Sequence, residues 1–208
     1  MSETEAYEFR APLSIVIDFK SPNAYLALRP SFELVDSLGI DVEWIPFAAE
    51  PIKPYAPVAA DAPRGARHRW IRAQYWAKDL ERYAERQGLT LKEIHRAPDV
   101  LLPGMGLQWL KQNAPDRIHS YLTQCFQGWW SGTLEIESED AVAALIESTE
   151  FVDYCRGQGR LEWEILQGQL LAAGIFEVPS YVVGNELYLG RQHLPMVRKL
   201  LQSPGLER

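Results

Sequence analysis

One stretch sets the architecture. Leu13 to Phe19 is an apolar, β-branched run that breaks off at Lys20-Ser21-Pro22. A run of that length bounded by turn residues reads as a buried strand. Serine is a preferred helix N-cap and proline a preferred first helical residue, so Ser21-Pro22 predicts a helix starting at once. Ala24, Leu28, Phe32, Val35 and Leu38 fall on one broad face of it, Gly39 closes it, and Pro30 is expected to kink it. Asp41 to Pro46 then alternates as a second strand. Strand, helix and strand at this spacing make a βαβ unit, with parallel strands and a right-handed crossover.

From about residue 64 to 174 helix signals dominate. Ile71, Tyr75, Leu80 and Tyr83 predict one amphipathic helix ending near Gly88. Leu107 to Gln112 falls in another, and Arg117 to Trp130 in a third. Glu139 to Glu147 is a fourth, capped by Ser138, and Phe151 to Arg156 and Leu161 to Ala173 complete the set. Proline-rich loops are expected at 51–63 and 98–103. Strands return in the tail: Ser180 to Val183, a Gly184-Asn185 turn, and Glu186 to Leu189 make a hairpin, followed by a helix over Leu194 to Leu201. The two outer pieces each leave a sheet face bare and must combine. The expected architecture is α/β: a thioredoxin-like fold (βαβ…ββα) with an inserted all-helical domain. Residues 10–53 and 174–208 form the discontinuous thioredoxin-like domain and 60–173 the insertion.

The chain has 208 residues, 47% hydrophobic and 24% charged, which is ample for a globular core. Its formal net charge of -7 argues against a nucleic-acid partner. No apolar stretch approaches the roughly 20 residues of a membrane span. Met1 to Arg10 carries acids instead of the basic start and apolar run of a secretory signal, so a cytoplasmic location is expected. Cys125 and Cys155 have neither CxxC spacing nor a His cluster beside them, so no metal site and no dithiol motif is expected. They read as two unbonded core thiols.

Two places could carry chemistry. Ser21 stands where a parallel strand ends and a helix begins, and ligands of open α/β sheets gather at the carboxyl ends of strands. The free N–H groups and partial positive charge of a helix N-terminus favour an anion, including a thiolate. Ser21 is equally explained as a helix cap. The second place is Val178-Pro179-Ser180, where proline can sit only at a strand's start or edge. Arg64, Arg67, Arg69 and Arg72, with His68, read as a solvated helix face, and most of the insertion's tryptophans as core.

Several segments resemble a known family. DFKSPNAYLA, from Asp18 to Ala27, is similar to the "DF-x-SP-x-x-YLA" opening of 2-hydroxychromene-2-carboxylate isomerases and kappa-class glutathione transferases. Tyr75 to Ala84 resembles their "Y-x-x-x-DL-x-R-x-A" helix, and Trp129 to Gly132 their "W-x-x-G". Gly174 to Ser180 resembles their "G-x-F-G-VPT", and Glu186 to Gly190 their "ELFWG". The pieces fall in the right order over almost the whole chain. The resemblance implies a thioredoxin fold of DsbA or kappa type, a cis Val178–Pro179 bond, and glutathione as cofactor. Ser21 would hydrogen-bond the glutathione sulfur, and the Val178 backbone before Pro179 would pair with the tripeptide. Lys53, reached with a one-residue gap, would contact a ligand carboxylate. Arg191 and Gln192 stand in the segment at the γ-glutamyl end. There the family has Asp-Arg, where this chain has Gln192-His193; Ser180 replaces a Thr and Glu177 a Gly.

The implied activity is a glutathione-dependent isomerisation of a small unsaturated or aromatic carboxylic acid, of the kind met in aromatic catabolism, in a chain that could form a homodimer. The alternatives are a kappa-like glutathione transferase or peroxidase, or a non-catalytic thioredoxin-fold binding protein with a weakened glutathione site. A dithiol oxidoreductase is disfavoured, because Ser21 to Ala24 holds no cysteine.

Overall fold

A computed structural model describes residues 4–203. Residues 1–3 of the N-terminal stretch and 204–208 of the expected thioredoxin-like domain lie outside the described residues. In chain order the elements are β1 (Leu13–Ile17), α1 (Pro22–Leu38), β2 (Val42–Pro46), α2 (Arg64–Gln87), α3 (Leu101–Asn113), α4 (Ile118–Ser131), α5 (Glu139–Ile146), α6 (Thr149–Arg156), α7 (Gln158–Ala172), β3 (Ser180–Val183), β4 (Glu186–Leu189) and α8 (Leu194–Gln202). The four strands form one sheet in the order β2-β1-β3-β4. β1 is parallel to β2, with Leu13 opposite Val42, and antiparallel to β3, with Val16 opposite Ser180. β3 and β4 make the hairpin.

Every residue of β1 is buried because it pairs on both edges and is covered on both faces. Its alternation splits the core. Leu13, Ile15 and Ile17 face the cluster built with α1, α3 and α4, while Val16 faces Leu166 and Leu170 of α7 together with Ile175 and Val178.

α1 starts and stops as its sequence dictates. Ser21 sits extended at φ -88°, ψ 116°, and its side chain caps the helix; Gly39 closes it at φ 59°. Inside it, Pro30 has no N–H to give the Leu26 carbonyl one turn back. The Gln87 side chain, at the far end of α2, donates to that carbonyl at 2.9 Å. The gap that proline leaves in α1 is thus a docking point for α2, supported by Leu80 and Ala84 packed on Leu26. At the other end of α1, the Tyr25 ring stacks on Phe126 at 5.6 Å and faces Trp130 at 6.3 Å, which seats α4.

Two expectations need correction. The buried row of α2 is Leu80 and Ala84, with Trp76 partly buried, whereas Ile71, Tyr75 and Tyr83 are exposed. The buried α2 residues clustered with Leu26 of α1 are Leu80 and Ala84, near its C-terminal end, while Ile71 and Tyr75 face solvent. Pro103 is not in a loop but in the first turn of α3, which runs from Leu101 and contains the expected Leu107 to Gln112. The missing N–H costs nothing there, since first-turn N–H groups have no partner inside the helix. Gly104 and Gly106 let α3 approach closely: a Cβ on either would overlap the Trp163 ring or the Tyr121 hydroxyl.

Candidate functional site

The site is assembled at the carboxyl end of β1, where four segments converge. The first is the β1–α1 connection. Asp18 ends the strand run at 1% exposure, and three groups hold its carboxylate: the Lys20 N–H at 3.0 Å, the Lys20 ammonium at 2.6 Å and the Ala49 N–H at 2.8 Å. Burial pushes its pKa up, against the pull of Lys20 and the two backbone donors. This carboxylate fixes the turn that presents Ser21 and ties it to the second segment, the chain leaving β2.

Ser21 is partly exposed. Its Oγ accepts from the Ala24 N–H at 3.2 Å, so the cap uses a lone pair and leaves the hydroxyl proton available to an anion. Of the neighbouring N–H groups, that of Ser21 donates to the Asp18 carbonyl at 3.0 Å and that of Tyr25 to the Ser21 carbonyl at 3.1 Å, and Pro22 has none, which leaves the Asn23 N–H as the open donor of the first turn.

The third segment is the loop before β3. The Val178–Pro179 bond is cis, as the resemblance implies. Val16 pairs with Ser180, so antiparallel register sets Val178 and Pro179 alongside the last residues of β1, next to the start of α1. The fourth segment follows β4. The Gly190 N–H donates to the Pro179 carbonyl at 2.7 Å, and Arg191 donates to the Asn23 side chain in the first turn of α1 at 2.9 Å.

Ser21, Val178, Pro179 and Arg191 therefore share one end of the sheet. Gln192 lies beside them, but its side chain is turned to the Leu189 carbonyl at 2.9 Å. Lys53 is exposed, in the segment after β2, and no hydrogen bond or ion pair ties it to the other five. Cavities of about 540 Å³ and about 530 Å³ are present. The first is lined by Tyr25, one turn along α1 from Ser21, with Leu89, Gln127 and Thr133; the second by Leu80, Leu91, Ile94 and His95. Neither is lined by Ser21, Val178 or Pro179.

Both cysteines are free and buried. Burial pushes the Cys125 thiol up to about 12 and the Cys155 thiol to about 11, so neither supplies a thiolate near neutral pH. Among the described residues no cluster could hold a metal ion, and no helix is long and apolar enough to cross a membrane. The basic residues Arg64, Arg67, His68, Arg69 and Arg72 are exposed along α2, a solvated face.

Asp18, Asn23, Asp79 and Gln87 matter more than the pattern of the sequence suggested. The one signal available was a carboxylate at the end of an apolar strand run, a place where a charge must be paired.

No family model and no curated protein matches the sequence. Solved structures do match the fold. A 2-hydroxychromene-2-carboxylate isomerase superposes with a TM-score of 0.67 at 17% identity, over 91% of this chain and 93% of that one. A probable DsbA oxidoreductase from Streptomyces coelicolor gives 0.66 at 16%, over 96% and 94%. A candidate protein disulfide isomerase from Nitrosomonas europaea gives 0.59 at 12%, over 92% and 97%. At such identities the likeness is one of fold, and it joins the sheet order and the helices between its halves in one conclusion: the chain has the α/β thioredoxin-like fold of DsbA-like proteins, with a helical insertion.

Proposed function

We propose that this protein is a glutathione-dependent isomerase of a small unsaturated aromatic carboxylic acid, with Ser21 as the residue that stabilises the thiolate. The observation that carries this reading is the Ser21 hydroxyl. It is held at the N-terminus of α1 by a bond it accepts, with its own proton free and no cysteine at the three positions that follow. A chain without a thiol there cannot run dithiol exchange at that point, but it can bind a thiol brought in from solution.

Bound glutathione would supply a thiolate that adds to a conjugated carbon and leaves again, so that a double bond becomes rotatable in between and no net redox change results. The protein's contribution is electrostatic. Ser21 donates to the sulfur, and the open Asn23 N–H and the helix dipole favour its charged form. The Val178 backbone beside cis Pro179 supplies a strand edge for a peptide backbone. Lys53 is the cation nearest in sequence to that end of β2 and would meet a carboxylate. The sulfur end of the site suits glutathione. The γ-glutamyl end suits it less, because Gln192 offers no charge to an amine and spends its amide on Leu189.

That last observation favours a second reading, a thioredoxin-fold binding protein that no longer turns over. A calorimetric titration with glutathione, followed by assay of a 2-hydroxychromene-2-carboxylate for isomerisation with and without glutathione, separates the two. Binding with thiol-dependent turnover supports the isomerase; binding without turnover supports the second reading; absence of binding removes the thiol from both.

A further inference from the structure

Arg191 is engaged by three elements at once. Its side chain is 17% exposed. One guanidinium nitrogen donates to Asn23 in the first turn of α1 at 2.9 Å, and another lies 3.6 Å from the Asp79 carboxylate in α2. The guanidinium also stands 3.9 Å over the ring of Tyr83, one turn further along α2. Planar, forked and always charged, arginine can serve these three partners together, and lysine cannot.

Only two polar links join α2 to the elements of the sheet and α1 among the described residues. One is Gln87 on the Leu26 carbonyl, at the helix's C-terminal end. The other is Arg191, two turns nearer the N-terminus. Between them lie the apolar contacts of Leu80 and Ala84. Before Asp79, the helix has exposed residues on its outer face, a half-buried inner row that includes Trp70 and Trp76, and no polar link to the sheet or α1 among the described residues. Arg191 is itself aimed by its neighbours, since Gly190 bonds to the Pro179 carbonyl and takes the positive φ of 83° that the turn requires. A continuous chain of contacts thus runs from cis Pro179 through Gly190 and Arg191 to Asn23, two residues from Ser21, and to α2.

We propose that Arg191 is a positioning residue: a latch that fixes α2 of the helical insertion against the first turn of α1, and in doing so sets a permanent positive charge beside the Ser21 anion site. It does not bind the cofactor directly, the role the resemblance suggested, because its donors face Asn23 and Asp79. The charge part of this proposal rests on the thiol-binding reading above; the latch part does not.

The test uses full-length protein and two readouts. Hydrogen exchange reads the latch. Arg191→Ala should speed exchange of amides in the Asp79–Gln87 half of α2 about tenfold, equivalent to about 1.4 kcal/mol, and leave β1 unchanged. Should that variant fail to fold, Asp79→Asn removes the ion pair with Arg191 in place, and must loosen the same half-helix. Unchanged exchange in the folded variant overturns the latch. The second readout is the ultraviolet titration of the thiol of bound glutathione. Arg191→Ala should raise its pKa, and Arg191→Lys, which keeps the charge but loses the fork and the stacking, should restore most of it. Gln87→Ala loosens the same helix without removing a charge, and should leave the titration where it was. If Arg191→Ala and Gln87→Ala shift the thiol equally, the electrostatic role is refuted and Arg191 is structural only. If the native protein binds no glutathione, the thiol reading and the charge role that rests on it both fall, and the exchange data alone decide the latch.

Discussion

Replacing Ser21 with alanine removes two things that can be measured apart. The first is the cap on Ala24, made at 3.2 Å. Losing it should cost about 1 kcal/mol of global stability. The second is the hydroxyl proton offered to a thiolate. A hydrogen bond to a charged group contributes about 1.5–3 kcal/mol, and one pKa unit is about 1.36 kcal/mol, so the thiol of bound glutathione should rise by about one to two units. Ser21 is only partly buried, which favours the lower figure. Two further substitutions break the correlation between cap and donor. Glycine is a tolerable cap, so Ser21→Gly should lose only a few tenths of a kcal/mol of stability and yet raise the thiol as far as alanine does. Ser21→Asp keeps the cap and complements the helix dipole, so it should unfold no more easily than the native protein. Its carboxylate would nevertheless repel the sulfur anion and push the thiol up furthest of the three. Stability is read by urea unfolding, and the thiol by its thiolate absorbance across pH with the protein in excess. If the three variants order themselves in stability as above while the bound thiol titrates as in the native protein, Ser21 is a helix cap and nothing more.

Three other outcomes follow from single contacts. Gln192→Asp places a carboxylate where the site now has an amide; because position 192 is exposed, the gain in glutathione affinity measured by calorimetry should be about tenfold, near the low end for a charge-assisted bond, and no gain means that no ammonium group lies there. Cys125 and Cys155, pushed to about 12 and about 11 by burial, should resist a disulfide-exchange reagent at mildly alkaline pH in the native state and react fully in urea; rapid native labelling of either contradicts the packing. Asp18 titrates at a raised value because burial outweighs its donors, so its contribution to stability is complete below the unfolded carboxyl value and is lost as pH rises through the folded one. The stability advantage of the native protein over Asp18→Asn should therefore shrink on going from acid toward neutral pH, and an advantage that grows instead would show that Lys20 and the backbone donors dominate.

What the sequence made legible is what local chemistry dictates. The β1 run, the Ser21-Pro22 start, the Gly39 stop and the Gly184-Asn185 hairpin turn each act over a few residues, and each stands where it was expected. The insertion was legible as helices but not as faces. In α2 a reader sees Ile71, Tyr75 and Tyr83 and infers a buried stripe, yet the stripe that packs is Trp76, Leu80, Ala84 and Gln87, two of which are small or polar. Hydrophobicity alone could not rank the two, since the choice was made by the partner, α1, and in particular by the carbonyl that Pro30 leaves open.

The same reasoning explains why the site was only half visible. Ser21 and Pro179 announce themselves because a capping serine and a strand-starting proline have local signatures. Asn23, Asp79 and Arg191 have none; each is an ordinary polar residue until chain segments far apart in sequence meet. Asn23 and Arg191 are 168 positions apart and bond at 2.9 Å. The β1–α1 turn and the post-β4 turn lie at the same end of adjacent sheet halves, so the fold itself brings them together. Any side chain long enough at position 191 would reach α1, but only a planar cation can also rest on Tyr83 and face Asp79. The identity of that residue is therefore set by the insertion, while its place is set by the sheet. This makes position 191 a point where a change in the helical insertion can be felt at Ser21 without altering either strand or cap.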